Sequence, residues 1–207
     1  MTQQLKPASL SGRKLSYEEF LDWDGENQHV EWIDGEVIPM APVGDSHQDL
    51  AGFLLALLRV LVRQHDLGLV RHDPFQMKTG PDLPGRAPDI FFVSKERLAL
   101  FKPVYFDGPA NLVIEIISPG SRTIDRRDKF REYESGGVLE YWILDPGRES
   151  AEFFQLGSEG KYAAALIGTD GVYRSSVIEP LWIRVDWLWQ KPLPTELSIF
   201  REWGLIK

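Results

Sequence analysis

The sequence predicts an α+β protein in which helices flank a mixed central β-sheet and added β-hairpins extend both ends of the chain. Three observations lead to this expectation. A strand, a helix and another strand follow one another in the middle of the chain, an order typical of helices packed against a sheet. An Asp-Gly turn between alternating apolar residues predicts a hairpin near the amino end. Further short extended segments follow toward the carboxyl end.

Length and composition predict one sizeable folded unit. The chain has 207 residues, of which 43% are hydrophobic and 26% charged, the balance of an ordinary globular protein. Domains commonly run to roughly 100–200 residues. We therefore expect residues 1–15 to form a flexible amino-terminal arm and residues 16–207 to form a single domain.

The first predicted elements are a short helix and a hairpin. Ser16 has the character of a helix N-cap, and Glu19 stands three residues later, as in a capping box. The hairpin is expected to pair Val30–Ile33 with Glu36–Met40 around a turn at Asp34-Gly35.

A long helix is predicted over residues 46–65. Its apolar residues recur at three- and four-residue steps, which is typical of a helix with one face toward the core. These residues are Leu50, Phe53, Leu54, Leu57, Leu58 and Leu61.

The remaining elements are mostly strands. A second helix is expected from Thr123 to Ser135, ended by Gly136-Gly137, and a short helical turn near Val185–Trp189. The last part of the chain is read as hairpin strands and an apolar tail. The main predicted strands are Leu69–His72, Phe75–Lys78, Asp89–Val93, Leu112–Ile117, Leu139–Leu144 and Ala151–Leu156.

Several classes of function are excluded or disfavoured. The chain has no cysteine, which excludes disulfides, thiolate zinc sites and a cysteine nucleophile. Its amino terminus lacks the apolar core of a signal peptide. The longest apolar run, residues 50–62, is interrupted by Arg59 and is shorter than the roughly 20 residues that cross a bilayer. We therefore expect a cytoplasmic protein with no membrane partner.

The charge balance bears on nucleic-acid binding. A net charge of −8 counts against a broadly basic surface. A local basic strip is still compatible with this charge, because several basic residues cluster in one segment. These are Arg122, Arg126, Arg127, Lys129 and Arg131.

Two carboxylates stand where a sheet interior is expected to be apolar. Glu115 interrupts the apolar run Leu112–Ile117, and Asp89 opens a buried-type strand directly after Pro88. A buried ionised carboxylate is costly unless it is paired or bound to a metal. Mg²⁺ prefers oxygen ligands, commonly one or two carboxylates completed by water and substrate phosphate. The pattern therefore predicts a divalent-metal centre at Asp89 and Glu115, to which the backbone carbonyl of Ile116 can add a further oxygen.

Phosphodiester hydrolysis also benefits from a cation beside the metal. Residues two apart on a strand share a face, so position 117 would suit a lysine, but it holds Ile117. The nearest candidate is Lys129 on the following helix. Asp125 lies four residues before it and is expected on the same helical face.

These motifs resemble a known family. Pro88-Asp89, Glu-Ile-Ile-Ser-Pro at 115–119, Asp125, Lys129, Tyr133 and Glu-Tyr-Trp at 140–142 resemble the Uma-type restriction endonucleases of bacteria, members of the PD-(D/E)XK phosphodiesterase superfamily. Glu31, Asp34-Gly35-Glu36 and His47 add to the resemblance, which covers about residues 16–157. It implies a restriction-endonuclease-like fold, metal binding by Asp89 and Glu115, and catalytic roles for these two residues, Lys129 and Glu31.

The resemblance implies an endonuclease that cuts DNA with Mg²⁺ or Mn²⁺. Because cleavage of duplex DNA needs two such centres, a homodimer is expected. The alternative is a catalytically inactive, dimeric DNA-binding or scaffold protein that retains the nuclease fold. Net charge and Ile117 favour this alternative, whereas the joint presence of Asp89, Glu115 and Lys129 opposes it.

Individual residues have alternative interpretations. Asp89 can instead cap its strand, and Glu115 can form a buried salt bridge with Arg122 or Arg131. Glu31 can face solvent rather than the centre. His47 either bonds to a loop or lines the cleft, and Gln76 and Asp125 are further candidates for the cleft. The aromatic tail either forms the dimer interface or closes the core; its members are Trp182, Trp187, Trp189, Phe200 and Trp203.

Overall fold

The computed structural model describes residues 14–23, 29–118 and 121–207. Residues 1–13 of the expected arm therefore lie outside the described part. Its last two residues are described, and the N–H of Leu15 donates to the carbonyl of Gly35 at 2.8 Å. The arm and the single-domain boundary stay predictions.

The helices follow in chain order. They are α1 (Tyr17–Leu21), α2 (Asp45–Gln64), α3 (Phe130–Gly136) and α4 (Glu196–Glu202). A π-helix, Ile124–Lys129, runs directly into α3, and two 3₁₀-helices cover Lys95–Leu100 and Val185–Trp189.

The strands are short, between two and seven residues. They are β1 (Val30–Ile33), β2 (Glu36–Pro39), β3 (Gly68–His72), β4 (Gln76–Lys78), β5 (Gly85–Arg86), β6 (Ile90–Ser94), β7 (Tyr105–Asp107), β8 (Leu112–Ile116), β9 (Glu140–Asp145), β10 (Ser150–Leu156), β11 (Tyr162–Ala164), β12 (Val172–Arg174) and β13 (Trp182–Arg184).

The predicted mixed architecture is confirmed. The central sheet has the order β11-β10-β9-β8-β6-β3, in which β8 and β9 pair in parallel and the other pairs are antiparallel. A second sheet has the order β2-β1-β5-β4-β7, and β12 pairs with β13 near the carboxyl end. Hairpins thus lie toward both ends of the chain. None of the described helices has the length and apolar composition needed to span a membrane.

The signals at the amino end correctly identified the local structure. Ser16 caps α1, and its side chain and that of Glu19 form the reciprocal bonds of a capping box. Asp34 and Gly35 both have positive φ, 50° and 87°, in the turn between β1 and β2. A two-residue turn with this backbone matches the twist of the strands it joins.

The central sheet is covered on both faces. The leucine stripe of α2 packs with Ile114, Ile116, Trp142 and Leu144 in one core. Alternate residues of the same strands enter a second core with Tyr133 of α3; they include Val113, Tyr141 and Ile143. The long helix, the strand pattern and the helix stop at Gly137, which has a φ of 87°, are as predicted.

The carboxyl-terminal aromatics close the first core. Trp187 and Phe200 are buried in it, and Trp182, Trp189 and Trp203 pack against it. Of the two interpretations of this tail, core closure is the one observed. Three elements were not predicted from the sequence: α4 in this region, β5 in the Pro/Gly-rich loop, and β7.

A buried carboxylate attaches the carboxyl-terminal segment to the central sheet. Glu140 is 0% exposed. Its Oε1 accepts from the indole of Trp142 at 2.7 Å. Its Oε2 accepts from Oγ of Ser175 at 3.1 Å and from the N–H and Oγ of Ser176, both at 2.8 Å. These four donors satisfy the hydrogen-bonding capacity of the buried carboxylate, so Glu140 has a structural role.

Candidate metal centre

Asp89 lies directly before β6, and Glu115 lies on the neighbouring strand β8. β6 and β8 pair with Ile90 opposite Ile114, and Asp89 and Glu115 each stand one step beyond this pair. Residues opposite one another on antiparallel strands share a face, with Cβ atoms about 5 Å apart. Oδ2 of Asp89 accepts from the N–H of Ile116 at 2.7 Å, which ties the start of β6 to the end of β8. The fold thus brings the two predicted metal ligands together.

Glu115 lies in the interior of the centre. It is 3% exposed. Tyr133 donates its hydroxyl to Oε1 at 2.7 Å, and Lys129 Nζ lies 2.8 Å from Oε2. Burial raises the pKa of Glu115; Lys129 opposes the shift, and the charges of Asp89 and Asp125 add to it. The salt-bridge interpretation named the wrong partner, because Arg122 pairs with Asp145 and the buried partner of Glu115 is Lys129.

Lys129 lies among three carboxylates. Its Nζ is 2.8 Å from Glu115, 3.3 Å from Asp125 and 3.8 Å from Glu31. Burial alone would lower the pKa of this lysine, but the three negative charges outweigh burial, so the pKa is raised and the ammonium stays protonated. Ile117 is buried in the second core. The ammonium of the centre therefore comes from Lys129 on the π-helix, because position 117, after β8, holds an apolar residue.

Asp125 enters the centre from the π-helix, one turn before Lys129. It is 1% exposed, and its Oδ2 has no hydrogen-bond partner among the described residues. Its backbone carbonyl accepts from the hydroxyl of Tyr141 at 3.0 Å, and its N–H donates to the carbonyl of Ser121 at 2.9 Å. π-Helical turns are rare and are often found at functional sites.

Glu31 faces the centre rather than solvent. It is 5% exposed. Its Oε2 accepts from Arg86 at 2.7 Å, and its Oε1 accepts from the N–H of Ala87 at 3.3 Å. Burial alone would raise the pKa of Glu31, but Lys129 and Arg86 outweigh it and lower the pKa. The hairpin thus adds to the centre a carboxylate whose pKa is held below its ordinary value.

His47 lines the centre at the start of α2. Its Nε2 lies 3.1 Å from Oδ2 of Asp89, and its Nδ1 has no partner in the part of the chain that the structure describes. Burial alone would lower the pKa of His47. The hydrogen bond to Asp89 and the charges of Asp89 and Asp125 outweigh burial, so the pKa is raised. His47 thus lies beside Asp89, and its place in a substrate cleft stays a prediction.

Gln76 has a different position. Its amide donates to the carbonyl of Val30 at 2.9 Å, on the strand that carries Glu31. It therefore supports the hairpin, and its Oε1 lacks a partner within the described ranges.

Sequence reasoning missed three features of the centre. Arg86 contacts Glu31 and also donates two bonds to Glu132, at 2.8 and 2.7 Å. Tyr133, although part of the family motif, was not assigned to the site. Asp73 pairs with His29 at 2.7 Å, and its pKa is raised by burial, with the charges of Asp89 and Glu31 adding to the shift. The four-residue step from Lys129 to Tyr133 was the available signal for the tyrosine.

Three arginines of the possible basic strip are paired with carboxylates. Arg122 bonds to Asp145 at 2.8 Å, Arg126 pairs with Glu152, and Arg127 bonds to Asp128 at 2.8 Å. These arginines therefore present less net charge to a polyanion than the sequence suggests.

The side chains of the centre have the chemistry that a divalent cation requires. Four carboxylates, those of Glu31, Asp89, Glu115 and Asp125, meet two permanent cations, Lys129 and Arg86, so negative charge is in excess. Asp89 retains an exposed edge, with 14% of its side chain accessible. Within the described residues, no three Asp, Glu or His side chains form a ready-made metal cluster. Two carboxylates completed by water and substrate are the arrangement that Mg²⁺ commonly uses, and the residues fit that arrangement.

The comparisons with known proteins bear on this centre. A family model, Uma2, described as "Putative restriction endonuclease", matches residues 17–186. The chain belongs to the Uma2 family. The match spans every residue of the centre, and it confirms the resemblance seen in the sequence. A search of the curated proteins found no match.

One solved structure supports the fold of this Uma2 family member. It is the crystal structure of a protein from Anabaena variabilis described as a "putative nuclease belonging to DUF820". The TM-score is 0.70 at 16% sequence identity, and the match covers 84% of this chain and 97% of that one. At such low identity the likeness shows the α+β fold alone.

Proposed function

We propose that this protein is an endonuclease that hydrolyses DNA phosphodiester bonds with Mg²⁺ or Mn²⁺. The observation that carries the proposal is the meeting of Asp89 and Glu115 across β6 and β8, with the Lys129 ammonium 2.8 Å from Glu115. The description of the Uma2 family as "Putative restriction endonuclease", together with that of the Anabaena variabilis protein as a "putative nuclease", supports a nuclease-like function.

In this proposal, the carboxylates of Asp89 and Glu115 and the carbonyl of Ile116 hold the ion. A bound divalent ion lowers the pKa of a water ligand and polarises the phosphate. His47 and the N–H of Ile116 fix the orientation of Asp89, and Tyr133 fixes that of Glu115. Lys129 supplies positive charge beside the reacting phosphate, and Glu31 with Asp125 keeps its ammonium in the centre.

The geometry also bears on how a substrate reaches the centre. Glu115, Asp125 and Lys129 are at most 5% exposed, whereas the side chain of Asp89 is 14% exposed. We propose that the phosphate approaches from the side of Asp89 and His47. Cleavage of both strands of a duplex would require a homodimer. Because Trp187 and Phe200 are used in the core, such a dimer would have to be formed by other residues. We place this activity in the cytoplasm.

A second candidate is a catalytically inactive, dimeric DNA-binding or scaffold protein with the same fold. The observation that favours it is the pairing of Arg122, Arg126 and Arg127 with carboxylates on a chain of net charge −8. Such a surface offers fewer phosphate contacts than the sequence suggested.

Incubation with supercoiled plasmid separates the two candidates. Wild type with Mn²⁺ or Mg²⁺ is expected to nick or linearise the plasmid, and Asp89→Asn and Lys129→Ala are expected to abolish cleavage. Asp186→Asn and Lys161→Ala make the same changes at positions outside the centre and should cleave normally. A plasmid left intact by wild type under every metal would reject the endonuclease, and cleavage that survives both centre variants would move it to another site.

A further inference from the structure

The Lys129 ammonium is shared unequally among its carboxylates. It lies nearest to Glu115, at 2.8 Å, and farther from Asp125 and Glu31, at 3.3 and 3.8 Å. An ammonium has three N–H donors and no acceptor. The oxygen it holds most closely, Oε2 of Glu115, belongs to one of the two residues that we assign to the metal.

Asp125, beside this ammonium, has a carboxylate oxygen that can accept a further hydrogen bond. Its Oδ1 contacts Lys129, while Oδ2, on a side chain 1% exposed, is without a partner among the described residues. A buried carboxylate oxygen with no donor is unfavourable. Tyr141 and the π-helix fix the backbone of Asp125, so the carboxylate cannot easily turn to solvent. It can, however, receive the ammonium more fully.

A divalent cation at Asp89 and Glu115 would repel Lys129. Both charges would be buried, where repulsion between like charges is screened weakly. The ammonium stands on a flexible four-carbon chain, and Asp125 and Glu31 are already within 3.8 Å of it. A small displacement away from Glu115 would bring it to these two carboxylates.

We infer that Asp125 and Glu31 form an alternative binding position for the Lys129 ammonium, which moves there from Glu115 when a divalent cation binds. Asp125 is then a positioning residue, which acts on the metal through Lys129. The inference rests on the cation binding of the proposed function and adds to it a change of partner by the lysine.

A double-mutant cycle with Mn²⁺ as the probe tests the inference. Binding is measured by isothermal titration calorimetry on wild type, Asp125→Asn, Lys129→Met and the double variant. Lys129→Met should bind Mn²⁺ about tenfold more tightly, because the competing charge is gone. Asp125→Asn should weaken binding about tenfold in wild type but by no more than about twofold in Lys129→Met.

Other outcomes overturn the inference. If Asp125→Asn weakens Mn²⁺ binding equally in wild type and in Lys129→Met, Asp125 acts on the ion directly, as a ligand or through its charge, and not through Lys129. Unchanged or weaker binding by Lys129→Met would show that the lysine does not compete. Absence of saturable binding in all four proteins would also reject it. Plasmid cleavage is measured separately. If the four Mn²⁺ affinities follow the expected pattern but no protein cleaves the plasmid, this inference stands and the endonuclease is rejected.

One further variant repeats the test at Glu31, and another is a control on the same helix. Glu31→Gln should weaken Mn²⁺ binding in the same lysine-dependent way as Asp125→Asn. Asp128→Asn, on the same helix but paired with Arg127, should change the affinity by less than about twofold. If Lys129→Met is unfolded without ion, circular dichroism should show refolding on addition of Mn²⁺, and a chain that stays unfolded in excess Mn²⁺ would count against the inference.

Discussion

Glu115 and Glu140 lie on adjacent parallel strands, β8 and β9, and both are almost completely buried. Glu140 accepts four hydrogen bonds, all from neutral groups, and shares none of these donors with another carboxylate. Glu115 accepts from one neutral hydroxyl and shares Lys129 with Asp125 and Glu31. A buried charge therefore indicates a functional centre when its neighbours leave negative charge in excess, and indicates a structural role when neutral donors saturate it.

The largest expected difference between these two residues is in activity. Glu115→Gln removes a proposed metal ligand, and the rate of plasmid cleavage should fall by about 100-fold or more. Glu140→Gln should cleave at a near-normal rate at temperatures where it is folded. Initial rates with saturating Mn²⁺ measure both effects, and a Glu140→Gln variant that is folded but inactive would contradict the distinction.

For stability, we expect the larger loss from substitution of Glu140 rather than of Glu115. In Glu140→Gln, an amide group faces donors that need an acceptor, and the free energy of unfolding should fall by about 3 kcal/mol. Urea denaturation measures this loss. Glu140→Asp, which keeps the charge on a shorter side chain, is the matched control and should recover part of the stability. A loss below about 1 kcal/mol for the glutamine variant would mean that the four bonds contribute little.

Two of the three carboxylates that contact Lys129, those of Glu115 and Glu31, should respond to pH with opposite signs. The pKa of Glu115 is raised from its ordinary value of 4.5, so the folded state retains a proton that the unfolded state releases. Its contribution to stability is present below pH 4.5 and is lost as the pH rises toward the folded pKa. The pKa of Glu31 is lowered from the same value, so its contribution is present above pH 4.5 and is lost in acid.

Thermal unfolding in metal-free buffer between about pH 3 and pH 9 detects both contributions. Glu115→Gln should flatten the decline between pH 4.5 and about 8, and Glu31→Gln should flatten the decline below pH 4.5. Identical pH profiles for the two variants would show that the neighbouring charges do not separate these groups.

The smallest expected effect concerns the hydroxyl that bonds to Glu115. Tyr133→Phe removes one hydrogen bond of 2.7 Å without changing the packing of the ring. Unfolding free energy should fall by about 1 kcal/mol, and cleavage should slow by about fivefold because Glu115 is less well oriented. Tyr162→Phe removes a comparable bond, to the carbonyl of Val138, outside the centre. It should match the stability loss but leave the cleavage rate unchanged.

Much of this arrangement was predictable from local pattern. The capping box at Ser16, the Asp34-Gly35 turn and the stripe of α2 are determined by neighbouring residues, and the structure confirms them. Asp89 and Glu115 stood out because each places a charge in an apolar strand. Lys129 needed the family resemblance, because a lysine on a charged helix is usually solvated.

The missed features depend on contacts between distant segments. β5 and β7 have two and three residues, too few to display a periodicity. Arg86 lies in a Pro/Gly-rich loop, and its importance comes from Glu31, which is 55 residues away along the chain. The structural role of Glu140 likewise depends on Ser175 and Ser176, which no local pattern connects to it.

Arg86 also determines how the molecule can open. Its guanidinium bonds to Glu31 on β1 and to Glu132 on α3, so it joins the hairpin sheet to the helix that carries the centre. Separating either element from the other would leave a buried cation without its partner, which is strongly unfavourable. We therefore expect local opening of the hairpin and of the helix to be coupled, so that their backbone amides exchange with solvent as one cooperative unit.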